Sequence, residues 1–126
     1  MASYDIVHVE DDPRCFKYVE QWAQKSGLTY INFQALDELA GALPEISARF
    51  WVVDGRFPET RGDVIENNSA RAVEAIRIHH PNARIGLYSA EMDVRNHSQK
   101  IGVEHFDKSR FTAGKLVDRI KEILGE

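Results

Sequence analysis

Phe50-Trp51-Val52-Val53-Asp54-Gly55-Arg56-Phe57-Pro58 (FWVVDGRFP) is the stretch on which the reading of the fold turns. Four apolar, strand-favouring residues run into a carboxylate, and a turn signal follows at once. An unbroken apolar strand is what a central parallel strand looks like when both of its faces are covered. Taken locally, Asp54 is either a reactive group displayed at the end of that strand or a polar residue where a strand stops. The rest of the chain decides between them, because a reactive aspartate needs company.

Working outward, short apolar strands alternate with longer helical patterns. Toward the N-terminus, Asp5 to Val9 (DIVHV) reads as a strand ending at Asp12-Pro13, a helix cap followed by proline at the first helical position. The helix places Cys15, Phe16, Val19, Trp22 and Ala23 on one face, with Trp22 and Trp51 both expected in the core, and Gly27 stops it. Leu28 to Phe33 is a second strand. Leu36 to Ala48 is a second helix, bent or shortened by Pro44.

Toward the C-terminus, a polar loop from Gly55 to about Asn67 leads into a helix carrying Ala70, Ala72, Val73 and Ile76, which ends before Pro81. His79-His80 reads as its polar end, since adjacent helical residues point in different directions. Ala83 to Tyr88 is the fourth strand, and a polar helix starts at about Glu91. Val103 to Phe106 is the fifth strand. In the last helix Leu116, Val117, Ile120, Ile123 and Leu124 share one stripe, with Thr112 as N-cap. Strict alternation of five strands and five helices predicts a doubly wound α/β sandwich in a single domain, residues 1–126.

Composition agrees. Of 126 residues, 43% are hydrophobic and 29% charged, which suits one globular domain. The formal charge of -4 does not favour nucleic acid as a direct partner. No apolar run approaches a membrane span, the N-terminus lacks signal-peptide features, and a cytoplasmic location is expected. The single Cys15 excludes an intramolecular disulfide framework and reads as a small core residue.

In such a sheet, ligands bind beyond the carboxyl ends of the strands, where the strand order reverses. Glu10, Asp11 and Asp12 follow strand one, Asp54 ends strand three, Ser89 follows strand four and Lys108 follows strand five. If the strand order is 2-1-3-4-5, the carboxylates of strands one and three crowd one pocket. Two carboxylates about 4 Å apart repel by about 4 kcal/mol at an effective dielectric near 20, so the arrangement calls for a cation. All-oxygen ligation with room for water suits Mg²⁺. Asp54 can then serve as a carboxylate nucleophile forming an aspartyl-phosphate, with Ser89 and Lys108 holding phosphoryl oxygens.

With these residues in place, the chain resembles the receiver (CheY-like) domains of two-component response regulators over nearly its whole length. Glu10-Asp11 is similar to the family's acidic pair, which leaves Asp12 as a helix cap. Asp54, 43 residues beyond Asp11, is similar to the phosphoacceptor. Pro58 and Gly62 fit the loop pattern, Ser89-Ala90 the switch pair, Lys108 the phosphoryl-contacting lysine, and Phe111-Thr112-Ala113 the start of the last helix. The resemblance implies a flavodoxin-like (βα)5 fold with a five-stranded parallel sheet of order 2-1-3-4-5. It implies Mg²⁺ (or Mn²⁺) held by Asp11, Asp54 and the main-chain carbonyl of Arg56, with Glu10 acting through water. It further implies a histidine kinase or histidine phosphotransfer protein as donor, and an unnamed target docking on residues from about Glu91 to Glu126. A monomer or weak dimer is expected. Self-catalysed phosphorylation and dephosphorylation would be limited, so the domain is a signalling element and not an enzyme.

Departures from the family sharpen the expectations. Ser109 follows Lys108 where a proline in a cis bond is usual. Asp54 to Ser89 spans 35 residues, a few more than usual, and the surplus lies around Asp63 to Ser69 as a disordered or partner-touching segment. His105 stands where many members carry the inward-turning tyrosine or phenylalanine, which opens the switch to pH because histidine ordinarily titrates near neutrality. Arg56 and Glu91, two residues beyond the phosphoacceptor and the switch hydroxyl, are expected to face each other and hinder attacking water. Two rivals stand beside this reading. One is a pseudo-receiver that binds partners without phosphorylation. The other is an aspartate-nucleophile phosphatase, which wants a second acid where Arg56 stands and a cap for which the chain has no room.

Overall fold

The computed structural model describes residues 1–90 and 102–126. Eleven segments of regular α or β structure follow in order: β1 (Ala2–Val9), α1 (Pro13–Lys25), β2 (Tyr30–Phe33), α2 (Leu36–Ala42), β3 (Ile46–Asp54), β4 (Phe57–Pro58), β5 (Ile65–Glu66), α3 (Ser69–His79), β6 (Ile85–Ser89), β7 (Glu104–Asp107) and α4 (Ala113–Ile123). The five longer strands form one parallel sheet in the order β2-β1-β3-β6-β7. Counting only those strands, this is the expected order 2-1-3-4-5. The helix expected from about Glu91 lies outside the described residues.

Strand alternation divides the core in two. Val7, Val9, Trp51, Val53, Ile85 and Leu87 pack with Leu36 and Leu39 of α2 and with Ala72, Val73 and Ile76 of α3. Ile6, Phe50, Val52, Tyr88 and Phe106 point the other way and pack with Val19 and Ala23 of α1 and with Leu116, Val117 and Ile120 of α4. Each fully buried branched side chain contributes about 1.5–3 kcal/mol of transfer free energy. Gly86 is needed on the second face, because a Cβ there would lie 2.4 Å from Phe106 Cε2 and 3.2 Å from Phe50 Cε1. The two rings meet edge to face with centroids 6.2 Å apart.

The helix starts follow the sequence. Asp12 accepts from the Arg14 backbone N–H at 2.9 Å with Pro13 opening α1, and Thr112 accepts from Lys115 N at 3.3 Å to cap α4. Gly27 takes the left-handed φ of 75° that ends α1.

Several boundaries differ from expectation. α2 stops at Ala42 and a short 3₁₀ turn, Leu43–Glu45, carries Pro44, which cannot continue an α-helical hydrogen-bond ladder. β3 therefore begins at Ile46 and not Phe50. Its polar first half is recruited by β1, with Ser3 opposite Ser47 and Arg49 paired to Asp5. Trp22 is a second correction: it is 43% exposed, lying on the edge of the α1 stripe, where its ring packs on Gly114 and carries the Lys25 ammonium 4.9 Å from its centroid. Trp51 is core as expected, at 1% exposure.

The polar loop after Asp54 is a third correction. It contains an antiparallel hairpin, β4 with β5, pairing Phe57 with Glu66 and Pro58 with Ile65. Phe57 and Asn68 are buried, and Asn68 Nδ2 donates to Phe57 O at 2.9 Å. Arg61 pairs with Glu38 of α2, Thr60 Oγ1 donates to Asp37 at 2.9 Å, and Arg71 of α3 pairs with Glu59. The loop thus contains regular structure, and Glu59, Thr60 and Arg61, ahead of the surplus, tie it to two helices.

Candidate functional site

The register of the sheet brings the polar residues together. Val9 is opposite both Phe33 and Val53, Asp54 opposite Tyr88, and Ser89 opposite Asp107. Glu10 N donates to Phe33 O at 3.0 Å and Lys108 N to Ser89 O at 3.2 Å, so the ladder runs one residue past β1 and β7. Alternation then puts Glu10, Asp54 and Lys108 in phase with Val52, Tyr88 and Phe106, on the α1/α4 side of the sheet edge.

The Lys108 ammonium donates to Glu10 Oε1 at 3.0 Å and to Asp54 Oδ1 at 3.3 Å. Asp54 Oδ1 also accepts from its neighbour's amide, Gly55 N, at 2.8 Å, which fixes the carboxylate against the turn. The Glu10 side chain is 1% exposed and that of Asp54 13%. Burial, and then the facing Asp54 carboxylate, push the Glu10 carboxyl upward against the opposing pull of Lys108. The Lys108 ammonium is held upward by Asp54 and Glu10 although burial opposes it. Asp11 is raised as well, chiefly by burial and then by Asp54 and Asp12.

Glu10, Asp11 and Asp54 each offer a carboxylate oxygen, all within 4.8 Å of one another. Glu10 Oε2 is buried with no hydrogen-bond partner among the described residues. An all-oxygen donor set with a buried unsatisfied carboxylate oxygen fits a hard divalent cation such as Mg²⁺. Asp12 stands apart, its carboxylate bonded to Arg14 and held below the usual range.

The remaining expected residues divide. Ser89 is buried at the end of β6, one residue past the partner of Asp54. His105 is half-buried and its Nε2 lies 3.0 Å from Ser89 O, so it touches Ser89 through the backbone. Arg56 is exposed, two residues past Asp54 in the turn. Glu91 lies outside the described residues, and so does its expected pairing with Arg56. At Ser109, Asp107 Oδ1 accepts from both the Ser109 amide at 2.9 Å and its hydroxyl at 2.7 Å, closing the turn without proline. Cys15 is half-buried, and burial pushes its thiol up to about 12, in keeping with a packing role.

Sequence reasoning missed two residues beneath the site. His8 is fully buried, its Nδ1 2.6 Å from the Tyr30 hydroxyl, and burial lowers its pKa to about 3. Tyr88 is buried under the Lys108 ammonium, which lies 5.2 Å from its ring centroid. The signal for both was their phase: each sits two residues, or an even number across the register, from an acidic or basic site residue.

No family model matches the sequence, and no curated protein matches it. Solved structures do. The chain has the fold of the CheY-like receiver domains of response regulators. A response regulator receiver domain protein (CheY-like) from Methanospirillum hungatei JF-1 superposes with a TM-score of 0.77 at 14% identity, over 99% of this chain and 94% of that one. A two-component response regulator from Clostridium difficile gives 0.77 at 13% identity, over 100% and 98%. The BeF3-activated receiver domain of Nitrogen Regulatory Protein C gives 0.74 at 19%, over 99% and 97%. Among the described residues no helix is long and apolar enough to cross a membrane.

Proposed function

We propose that the chain is a receiver domain that accepts a phosphoryl group on Asp54. The observation that carries this reading is the Glu10–Lys108–Asp54 contact at the carboxyl edge of a receiver-type sheet, with Asp11 beside it. A carboxylate nucleophile, a divalent-cation donor set and a fixed ammonium are the parts that phosphoryl transfer uses.

Asp54 Oδ1 is occupied by Gly55 N and Lys108 Nζ, so Oδ2 is the attacking oxygen in this reading. It bonds to phosphorus as the bond to the donor's imidazole nitrogen breaks, and that nitrogen keeps the electron pair. Asp11 and Asp54, with the Arg56 carbonyl and Glu10 through water, would hold Mg²⁺ or Mn²⁺. The cation, when bound, neutralises charge on the transferring oxygens. Lys108 turns from Glu10 toward the phosphoryl group, and Ser89 donates its hydroxyl to a second oxygen. The donor is a histidine kinase or histidine phosphotransfer protein. Output passes to a protein target through the docking stretch expected from about Glu91 to Glu126, of which residues 102–126 are described, with no direct role for nucleic acid or membrane, in the cytoplasm.

Incubation with acetyl phosphate and Mg²⁺ followed by intact-mass measurement tests this. An adduct that disappears in Asp54→Asn is the expected result. Absence of any adduct would replace the reading with a pseudo-receiver that binds its partners without phosphorylation.

A further inference from the structure

We infer that Tyr88 is the positioning residue for Lys108, acting on its side chain through the aromatic ring and on its loop through the hydroxyl. This rests on the reading of Lys108 as the phosphoryl-contacting cation. Tyr88 lies between the two strands that matter, opposite Asp54 of β3 on one side and Phe106 of β7 on the other. Lys108 is two residues past Phe106 and therefore projects on the same face as the Tyr88 ring. Its ammonium reaches Glu10 and Asp54 while lying 5.2 Å from the ring centroid. Cation–π attraction of this kind strengthens when the partners are withdrawn from water, and Tyr88 is 4% exposed.

The hydroxyl does a second job. It donates to Phe111 O at 2.6 Å, four residues from the end of β7. Between them the chain folds on itself, with Arg110 N and Phe111 N both donating to Asp107 O at 2.9 and 2.8 Å. Tyr88 thus pins the far end of the turn that carries Lys108 to the central sheet. A turn with serine after the lysine lacks the φ restraint that proline imposes, and a tether from β6 supplies restraint from outside the turn. Ring and hydroxyl together limit where the ammonium can go: along the ring face, between Glu10 and Asp54.

The test uses the intact chain and three variants. Lys108 ε-methylene protons over an aromatic face resonate upfield of an ordinary lysine, with Lys108→Arg providing the assignment. Those shifted signals are expected in the parent and in Tyr88→Phe, and their return to ordinary positions in Tyr88→Leu. Phosphorylation by acetyl phosphate should slow about three- to tenfold in Tyr88→Leu, with Tyr88→Phe recovering the share of the loss due to the ring and keeping the share due to the hydroxyl tether. Unshifted Lys108 signals in the folded parent would overturn the inference, as would phosphorylation of Tyr88→Leu at the parental rate. A parent with shifted Lys108 signals that takes no phosphoryl group would sink the phosphoacceptor reading and uphold the positioning contact.

Discussion

Lys108 donates to Glu10 Oε1 at 3.0 Å, so a cation from the fifth strand of the main sheet neutralises an almost fully buried carboxylate from the first. Without the ammonium, Glu10 would face Asp54 with nothing between them. Lys108→Met is expected to lower stability by about 1–3 kcal/mol, less than for a fully buried pair because the lysine side chain is 27% exposed and Glu10 can take up a proton instead. Denaturant melts of parent and variant, each with and without Mg²⁺, measure it. Mg²⁺ should restore more stability to Lys108→Met than to the parent, and equal restoration would count against the shared-cation account.

Metal uptake should depend on pH through Glu10. Its carboxyl is raised, first by burial and then by Asp54 against the pull of Lys108, so the folded, metal-free chain takes up this proton at a higher pH than the unfolded chain, in a window that opens near pH 4.5. A raised carboxyl stabilises the fold at low pH, and that contribution is lost as pH climbs through this window. A divalent cation competes with the same proton. Apparent Mg²⁺ affinity is therefore expected to rise with pH above the ordinary carboxyl range, with proton release on binding. Titration calorimetry in two buffers of different ionisation enthalpy reads the released proton, and Glu10→Gln should abolish it.

His8 gives the opposite slope. Burial lowers its pKa from 6.5 to about 3, so the unfolded chain binds a proton that the folded one refuses. Its contribution to stability is complete above pH 6.5 and is lost as pH falls, at about 1.4 kcal/mol per unit until the folded group itself protonates. His8→Leu keeps an apolar filler and leaves the Tyr30 hydroxyl its bond to Phe16 O at 3.3 Å. Denaturation at about pH 5 and about pH 7 should show a difference between parent and variant that narrows on acidification. A constant difference would show that His8 titrates freely in the folded state.

The hairpin after Asp54 should depend on one buried amide more than on its ion pairs. Asn68→Ala removes the bond to Phe57 O and leaves a buried carbonyl unsatisfied, an expected loss of about 1–3 kcal/mol. Arg61→Ala breaks the pair with Glu38, whose side chains are 62% and 30% exposed, and is expected to cost under about 1 kcal/mol. Thermal melts of the two variants rank the contributions, and a reversed order would place the anchor at α2.

How much of this was legible follows from where each signal lives. β1 and β3 end in charges straight after apolar runs, so Glu10 and Asp54 could be read from local pattern, while the sheet order came from the resemblance to receiver domains. Pro44 announced the end of α2. The first half of β3, Ile46 to Arg49, carries no strand signal, since its pairing with β1 is a tertiary event that overrides weak propensity. The same holds for β4 and β5, where Pro58 argues against a strand and only the Asn68 bond and the ties to α2 and α3 show why one forms. Trp22 was misplaced because helical spacing gives a stripe but not its edges. His8 and Tyr88 were legible in principle, as strand parity puts them on the face of Glu10 and Lys108, but parity becomes useful only once the register is known.

The placement of the two tryptophans has an optical consequence. Trp51 is sealed beneath α2 and α3, while Trp22 stands half in solvent and shares a cavity of about 400 Å³ with Cys15, Tyr88 and Lys108. The indoles lie on opposite sides of the sheet, so each samples a different solvent. Emission from Trp51 follows the integrity of the fold. Emission from Trp22, isolated in a Trp51→Phe background, follows the neighbourhood of the lysine. The chain therefore carries its own pair of fluorescent gauges, one for unfolding and one for events at the edge that carries Asp54 and Lys108, with no label attached.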